Sequence, residues 1–423
     1  MIREERPVID FEKIKNTFCA SLWTQFFIHN DGSLKLCCES YIPLIKDDGL
    51  KYINASDLGD INMILNSKFL KEIRRAVIKN EWHKSCFKCR EIENKNGVSL
   101  RNVLNKMFEE SIPQILNSTA DDGSVDPKIS GVIIRFGNLC NLKCRMCTPA
   151  ASINIIGDME KIYGGISAKK VRQYYDYKWS GDPETWEKLR NLIPDLKFVT
   201  LEGGEPLIID KTFKFLEECV KTGHSQDIIV RYTTNMTVIP TGIEKLWKNF
   251  KNIALTCSID GYGELNSYIR YPSKWEIIDH NLRMLDKNHK EFNLDYIAIN
   301  LAVQVYNIFH LGEVLEYLFS NFNFIIPVPH FILLDNPDYL SCKILPPEMK
   351  KKAADYLNII KEKYAGKAPA SMNYPACIDS IIHYMNSEQK DNLVPVFIEM
   401  NNRWDKLRKQ DVLKIAPELE GLY

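Results

Sequence analysis

From position 131 to position 334 the chain alternates two patterns of apolar residues. Short runs rich in β-branched and aromatic side chains stand at 131–136 (GVIIRF), 197–203 (KFVTLEG), 227–235 (DIIVRYTTN), 253–260 (IALTCSID), 296–305 (YIAINLAVQV) and 324–334 (FIIPVPHFILL). Between them lie stretches with apolar positions at helical spacing, such as KTFKFLEECVK (211–221) and HLGEVLEYLFSNF (310–322). Side chains change face at every residue of a strand, whereas an amphipathic helix repeats at i, i+3, i+4 and i+7. Six strands separated by helices predict βα units, because parallel strands need such crossovers. The expected core is a partial (β/α)6 barrel.

Two other regions flank it. FFIHNDGSLKLCC (26–38) puts alternating runs on either side of Asn30-Asp31-Gly32, which predicts a hairpin, and SKFLKEIRRAVIKN (67–80) has helical spacing. STADDGSVDPK (118–128) is polar and full of turn formers. After Pro347 the pattern is helical, as in PEMKKKAADYLNIIKEKY (347–364) and FIEMNNRWDKLRKQ (397–410). The expected organisation is α/β: a small α+β domain over 1–117, a linker at 118–129, the barrel over 130–340 and a helical carboxyl-terminal extension over 341–423.

At 423 residues the chain is long enough for one large domain and a smaller one, and its 45% hydrophobic and 26% charged content is that of a globular protein. Lys+Arg and Asp+Glu both number 55, so no polyanion is called for and no nucleic-acid partner is expected. The first 25 residues carry charges throughout, and no run of about 18 apolar residues occurs, so neither a signal peptide nor a membrane partner is expected. The expected compartment is the cytoplasm. There, twelve cysteines are metal ligands, reactive thiols or small apolar fillers rather than a disulfide framework.

The first strand of the series runs straight into Cys140-Asn141-Leu142-Lys143-Cys144-Arg145-Met146-Cys147. Iron–sulfur clusters usually take four protein thiolates, so three leave one iron open to an outside ligand. On spacing alone a zinc knuckle is the alternative. The residues resemble the radical S-adenosylmethionine (SAM) superfamily, whose motif is C-x3-C-x-Φ-C. The resemblance implies a [4Fe–4S] cluster on Cys140, Cys144 and Cys147 with SAM chelating its open iron. It also implies one-electron cleavage of SAM to methionine and a 5′-deoxyadenosyl radical, with the electron coming from a reductase such as flavodoxin or ferredoxin. Met146 stands where the family often has an aromatic, and can cover the adenine.

Four downstream segments extend the likeness. Gly203-Gly204-Glu205-Pro206 closes the second strand, where a glycine pair lets the backbone approach a ligand; in the family such a segment binds the SAM amino group. Thr234-Asn235-Met236 resembles T-N-G, with Met in place of Gly, and implies a ribose contact for Asn235. Ser258-Ile259-Asp260-Gly261 and the later Arg270 resemble segments that supply a Ser to the ribose or carboxylate and an Arg to the carboxylate, which a guanidinium binds bidentately. Strand alternation then sends Cys257 outward as packing, and puts Asn300, Ala302 and Gln304 on one face of the fifth strand. Gln304 is a candidate SAM contact and Asn300 a candidate substrate contact. No catalytic acid or base is identified.

The amino-terminal third carries a second set: Cys19, Cys37, Cys86 and Cys89. A hairpin with a cysteine before and after it, joined by a C-x2-C turn, supplies four ligands, and geometry hardly separates zinc from a cluster. The pattern C-x(9–15)-G-x4-C followed by C-x2-C resembles the twitch half of the SPASM/twitch domain, which implies an auxiliary [4Fe–4S] cluster. In that family the domain usually follows the barrel; here it precedes it. Cys38 competes with its neighbour, and the G-x4-C spacing favours Cys37. Cys219, Cys342 and Cys377 are isolated, and Asp405, Arg408 and Pro417-Glu418 in the tail match no known chemistry.

The expected activity is that of a radical oxidoreductase or related modifying enzyme: dehydrogenation, cross-linking or epimerisation of a peptide or small metabolite, with the auxiliary cluster taking the leftover electron, binding substrate or relaying electrons. No peptide-recognition domain of about 80 residues precedes the auxiliary cysteines, which weighs against a ribosomal peptide. A methyltransferase would need a second SAM motif or a methyl-accepting cysteine, and neither is evident. The alternative of another class is a cysteine-rich zinc protein that interacts with nucleic acid, with Lys and Arg clustered beside aromatic residues.

Overall fold

The computed structural model describes residues 9–40, 42–94, 99–165, 167–369 and 372–423. Eight strands occur among them: β1 (Gln25–Ile28), β2 (Leu34–Lys35), β3 (Gly131–Ile134), β4 (Phe198–Leu201), β5 (Ile229–Thr234), β6 (Asn252–Ser258), β7 (Leu294–Val303) and β8 (His330–Leu333). The last six fall on the six apolar runs. Helices separate them, and the fold is the expected mixed α/β partial barrel with a helical tail. Packing divides the described residues into two units. The first holds the chain up to Phe136 with Tyr177–Thr200 and Lys214–Ile228; the second holds Gly137–Asp176, Leu201–Phe213 and Ile229–Tyr423.

In the first unit, β1 and β2 form the predicted antiparallel hairpin, with Phe27 opposite Lys35 and Ile28 opposite Leu34. Its turn follows from side-chain chemistry. Asp31 Oδ1 accepts bonds from Ser33 N (2.9 Å) and Ser33 Oγ (2.6 Å), and Gly32 sits at φ +85°. A Cβ on Gly32 would lie 2.9 Å from Trp179 Cγ, so the position needs glycine for space as well as for angle.

The strand order here is β2-β1-β3-β4. The alternating pattern carries no sign that β1 also pairs in parallel with β3, from Gln25 opposite Gly131 to Ile28 opposite Ile134. All four residues of β1 are buried, as expected of a strand covered on both faces. The polar stretch 118–129 is bound to the same unit. Thr119 Oγ1 accepts from Trp23 Nε1 at 2.9 Å, and the Gly123 carbonyl accepts from buried Arg74 at 3.1 Å.

In the second unit β5, β6, β7 and β8 pair in parallel in chain order. On β7 the residues Ile297, Ile299, Leu301 and Val303 are buried while Asn300 and Ala302 are half-buried, the predicted alternation. Cys257 is fully buried and its neighbour Ser258 is not. Flanking helices present apolar stripes: Ile278, Leu282 and Leu285 on Trp275–Lys287, and Leu311, Val314, Leu315 and Leu318 on Leu311–Asn321. The tail adds the helices Pro347–Ala365, Tyr374–Asn386 and Val394–Arg408. Among the described residues no helix is long and apolar enough to cross a membrane.

Candidate active site

The three-cysteine loop is held by its own backbone and by one neighbouring segment. Leu142 N–H points at Cys140 Sγ (3.4 Å), Asn154 Nδ2 donates to the Cys140 carbonyl (2.6 Å), and Ser152 Oγ donates to the Leu142 carbonyl (2.6 Å). On either side of Cys144, Lys143 N donates to the Tyr271 carbonyl (2.6 Å) and Arg145 N to the Ile269 carbonyl (2.9 Å). Those two bonds bracket Arg270.

Cys140 and Cys144 are buried, Cys147 is half-buried, and none of the three is in a disulfide. Burial, and then the charge of Cys144, pushes the Cys140 thiol up to about 12. Burial followed by Cys144 and Cys140 raises Cys147 further, while the Arg270 guanidinium opposes the rise that burial causes at Cys144. Three thiols that disfavour one another's ionisation become thiolates together only around a cation, which is what a metal cluster supplies. Among the described residues no three His, Cys, Asp or Glu stand close enough to share one metal ion. A cubane puts each thiolate on a different iron and spreads its ligands accordingly. The donor set fits a cluster with one open iron.

The Gly-Gly-Glu-Pro segment lies against this loop. Gly203 and Gly204 have φ of +79° and +48°, and a Cβ on Gly204 would stand 2.2 Å from the Leu139 carbonyl oxygen. Glu205 N donates to the same carbonyl at 2.8 Å. The Glu205 carboxylate is buried and accepts from Thr234 Oγ1 (2.7 Å), Asn235 N (2.7 Å) and Leu207 N (3.1 Å). Burial still outweighs these donors and pushes its pKa up to about 7.

A raised carboxyl pKa means that the folded chain keeps its proton to higher pH than the unfolded one. The associated stability is complete below the ordinary value of 4.5 and is lost as pH rises through about 7. Urea titrations from pH 5 to 8 are expected to lose about 3 kcal/mol in the wild type, and far less in Glu205→Gln.

Asn235 donates through Nδ2 to Asn141 Oδ1 (2.9 Å) and lies 3.8 Å from Cys140 Sγ, so the third strand's end touches the cysteine loop itself. Met236, at the family's glycine position, keeps the left-handed backbone with φ +58° and is fully buried. Its carbonyl accepts from Asn281 Nδ2 at 2.8 Å. Met236→Gly relieves about 1 kcal/mol of backbone strain but empties a site worth about 2–5 kcal/mol, so a lower melting temperature is expected.

Arg270 Nε stands 2.8 Å from Asp260 Oδ2, an ion pair between a half-buried guanidinium and a fully buried carboxylate. Asp260 is fixed in turn: Oδ1 accepts from Ala302 N (2.8 Å), and its carbonyl accepts from Asn307 Nδ2 (2.8 Å). Gln304 is fully buried just beyond β7, and its Oε1 has no hydrogen-bond partner among the described residues. An orphaned acceptor at that place suits a donor on a bound molecule. Strand register sets Ser258, Asn300 and His330 in one row, with His330 Nδ1 3.3 Å from Asn300 Oδ1.

Sequence patterns gave Asp260 no role and passed over His330, whose neighbours in this row lie 30 and more positions away. Pro206 begins a short turn and is buried. Met146 packs against the Cys140–Leu142–Cys144 cluster.

The second cysteine set lies within the first unit. Cys86 ends a short turn and Cys89 sits in the helix Phe87–Asn94, one turn on. Burial is the main cause that raises the Cys19 thiol, followed by Cys86 and Cys89; Cys37 is raised by burial and then by Cys19, Cys89 and Cys86. Cys86 is pushed up to about 11 by burial and Cys89. Cys37 is thus drawn in with the other three, and Cys38 is exposed. Asn105 and Arg101 hold both flanks of Cys19. The Phe18 carbonyl accepts from Arg101 Nη1 (2.7 Å) and Asn105 Nδ2 (2.7 Å), and Ala20 N donates to Asn105 Oδ1 (2.8 Å). Cys219 and Cys342 are fully buried and Cys377 is half-buried.

A family model for the radical SAM superfamily matches residues 134–300, and one for the SPASM iron–sulfur cluster-binding domain matches residues 19–90. Residues 134–300 are a radical SAM domain and residues 19–90, ahead of it in the chain, a SPASM-type domain, and the cofactors are a [4Fe–4S] cluster with SAM and an auxiliary cluster. Zinc is displaced as the reading of either cysteine set.

Among solved structures, the chain is similar to anSMEcpe with bound AdoMet and Cp18Cys peptide, at 16% identity over 56% of this chain and 61% of that one, with a TM-score of 0.36. It is similar to SuiB of Streptococcus suis at 15% identity over 70% of this chain and 58% of that one, with a TM-score of 0.29. A stretch of 226 residues is 26% identical to a cytoplasmic dynein heavy chain of Dictyostelium discoideum, over 51% of this chain and 4% of that protein. The chain spans under two thirds of each of these relatives, and none of the three likenesses bears on the site.

Proposed function

We propose that this protein cleaves SAM reductively and uses the resulting radical to take hydrogen from an unactivated C–H bond of a peptide or small metabolite. The observation that carries the reading is the trio Cys140, Cys144 and Cys147, the first two buried and the third half-buried, on a loop that Gly204 approaches at Leu139. When bound, the cluster and SAM supply a one-electron cleavage that gives methionine and a 5′-deoxyadenosyl radical.

The chain's own residues bind and orient. Gly203 and Gly204 bare their backbone to the SAM amino group, and Glu205 and Pro206 fix that segment. Arg270, held by Asp260, draws the carboxylate; Ser258 and Asn235 serve the ribose; Gln304 Oε1 accepts from SAM; Met146 covers the adenine. Asn300, in a row with Ser258 and His330, faces the substrate. Cys19, Cys37, Cys86 and Cys89 would hold the auxiliary cluster, which would supply an acceptor for the electron left on the substrate in a dehydrogenation or cross-link. A flavodoxin or ferredoxin in the cytoplasm supplies the first electron.

Anaerobic purification tests this reading. A brown protein that absorbs near ~400 nm, carries about seven to eight irons and forms 5′-deoxyadenosine under dithionite supports it. A colourless protein with zinc alone overturns it.

A further inference from the structure

Residues 301–423 lie outside both family matches, yet the helix Val394–Arg408 is built around the cysteine loop. Its buried residues Phe397, Met400, Asn401, Trp404, Asp405 and Arg408 recur at three- and four-residue intervals and form one face. Two charged side chains on that face reach the loop.

Asp405 pairs with Arg145, which stands between Cys144 and Met146 and is itself buried. The Arg145 guanidinium lies 3.7 Å over the Tyr268 ring and donates to Asn401 Oδ1 (3.2 Å) and Gln410 Oε1 (3.0 Å). Asp405 also accepts from Tyr268 OH (2.9 Å) and Val412 N (2.9 Å). This pair anchors the helix.

Arg408 does something else. Its Nη2 donates to the Lys143 carbonyl at 2.7 Å, in the residue before Cys144, and stands 3.3 Å from Asp158 Oδ2. Asp158 in turn holds Lys143 Nζ at 2.9 Å. The guanidinium lies over Trp404 (4.1 Å) and Tyr271 (4.6 Å) and is 7% exposed. Its Nε and Nη1 have no hydrogen-bond partner among the described residues. A buried cation with only part of its donors used is costly to keep for packing alone.

We infer that the carboxyl-terminal helix is a working part of the radical centre, with Arg408 a positioning residue that holds the main chain at Lys143 and fixes a positive charge beside Cys144. The inference rests on the function proposed above. A fixed cation stabilises the reduced, more negative cluster and raises its midpoint potential, as groups behind metal ligands do.

The test compares Arg408→Met and Arg408→Lys as anaerobic holoenzymes, with the catalytic cluster identified by the change in its electron paramagnetic resonance signal when SAM is added. Arg408→Met is expected to move that cluster's midpoint potential more negative. It should lower kcat for 5′-deoxyadenosine formation by about tenfold, with little change in KM for SAM. Arg408→Lys, which keeps the charge, is expected to restore the potential. Wild-type potential and rate in Arg408→Met overturn the inference, and so does an equal loss of iron, melting temperature and rate in both variants. If the wild type itself shows no SAM-sensitive signal, the underlying function fails instead, because no variant then has a signal to shift.

Discussion

Changing Cys140, Cys144 and Cys147 together to alanine is expected to abolish 5′-deoxyadenosine formation and leave about four irons in the protein. The two cysteine sets lie in different units of the fold, so losing one set leaves the backbone that gathers the other untouched. Cys19 keeps its brackets from Arg101 and Asn105, and Cys86 and Cys89 keep their shared turn. The three thiols pack with Leu142 and Met146, and Cys147 also against the Ile155, Ile162, Met400 and Trp404 cluster, but alanine removes one sulfur at each position, so the voids are small and cost about 1–3 kcal/mol each at most. The variant should therefore fold and stay brown. Iron analysis with chromatography of the SAM products checks both halves of the expectation. Cleavage that survives would remove the trio from the chemistry, and loss of all iron would mean that the two sites do not assemble independently.

Gly204→Ala is expected to lower the rate of SAM cleavage about 100-fold, and more than any other glycine-to-alanine change in the second unit. Two costs coincide there. A left-handed alanine pays about 1 kcal/mol, and the new methyl would stand 2.2 Å from the Leu139 carbonyl oxygen. That contact is with backbone, so one of two segments must retreat by roughly an ångström, and displacement on that scale suffices for the rate loss. The retreating segment carries either Cys140 or Glu205. Gly242→Ala is the control: its φ is +81° but nothing lies within 4 Å of the added Cβ. It should show the backbone cost alone, about 1 kcal/mol in thermal unfolding, with wild-type cleavage. Equal rates in the two variants would show that the approach to Leu139 does not matter to the reaction.

The strands β3 to β8 were legible because each is a short buried run bounded by helix or turn signals, and the cysteine trio because its ligands sit within eight consecutive residues. Legibility failed where partners are distant. The pairing of β1 with β3 joins Gln25 to Gly131, and nothing local marks it. Asp260 and Arg270 are close in sequence, but no local pattern marks their ion pair. Arg145 and Asp405 are separated by 260 positions. Each looks like a surface charge until the helix Val394–Arg408 is folded against the loop. Met236 shows the opposite case: the residue departs from the family pattern while the backbone keeps the left-handed turn that the pattern demands.

Glu205 reaches further than its place after the glycine pair suggests. Its amide holds Leu139, its carboxylate holds Thr234 and Asn235, and Asn235 touches Asn141 and Cys140. The 203–206 segment and the Cys140 loop are therefore tied through this one buried residue. Under the function proposed above, the first of these receives SAM and the second the iron, so ordering one is expected to order the other: a protein that has acquired its iron would offer the nucleoside a firmer seat than one that lacks it.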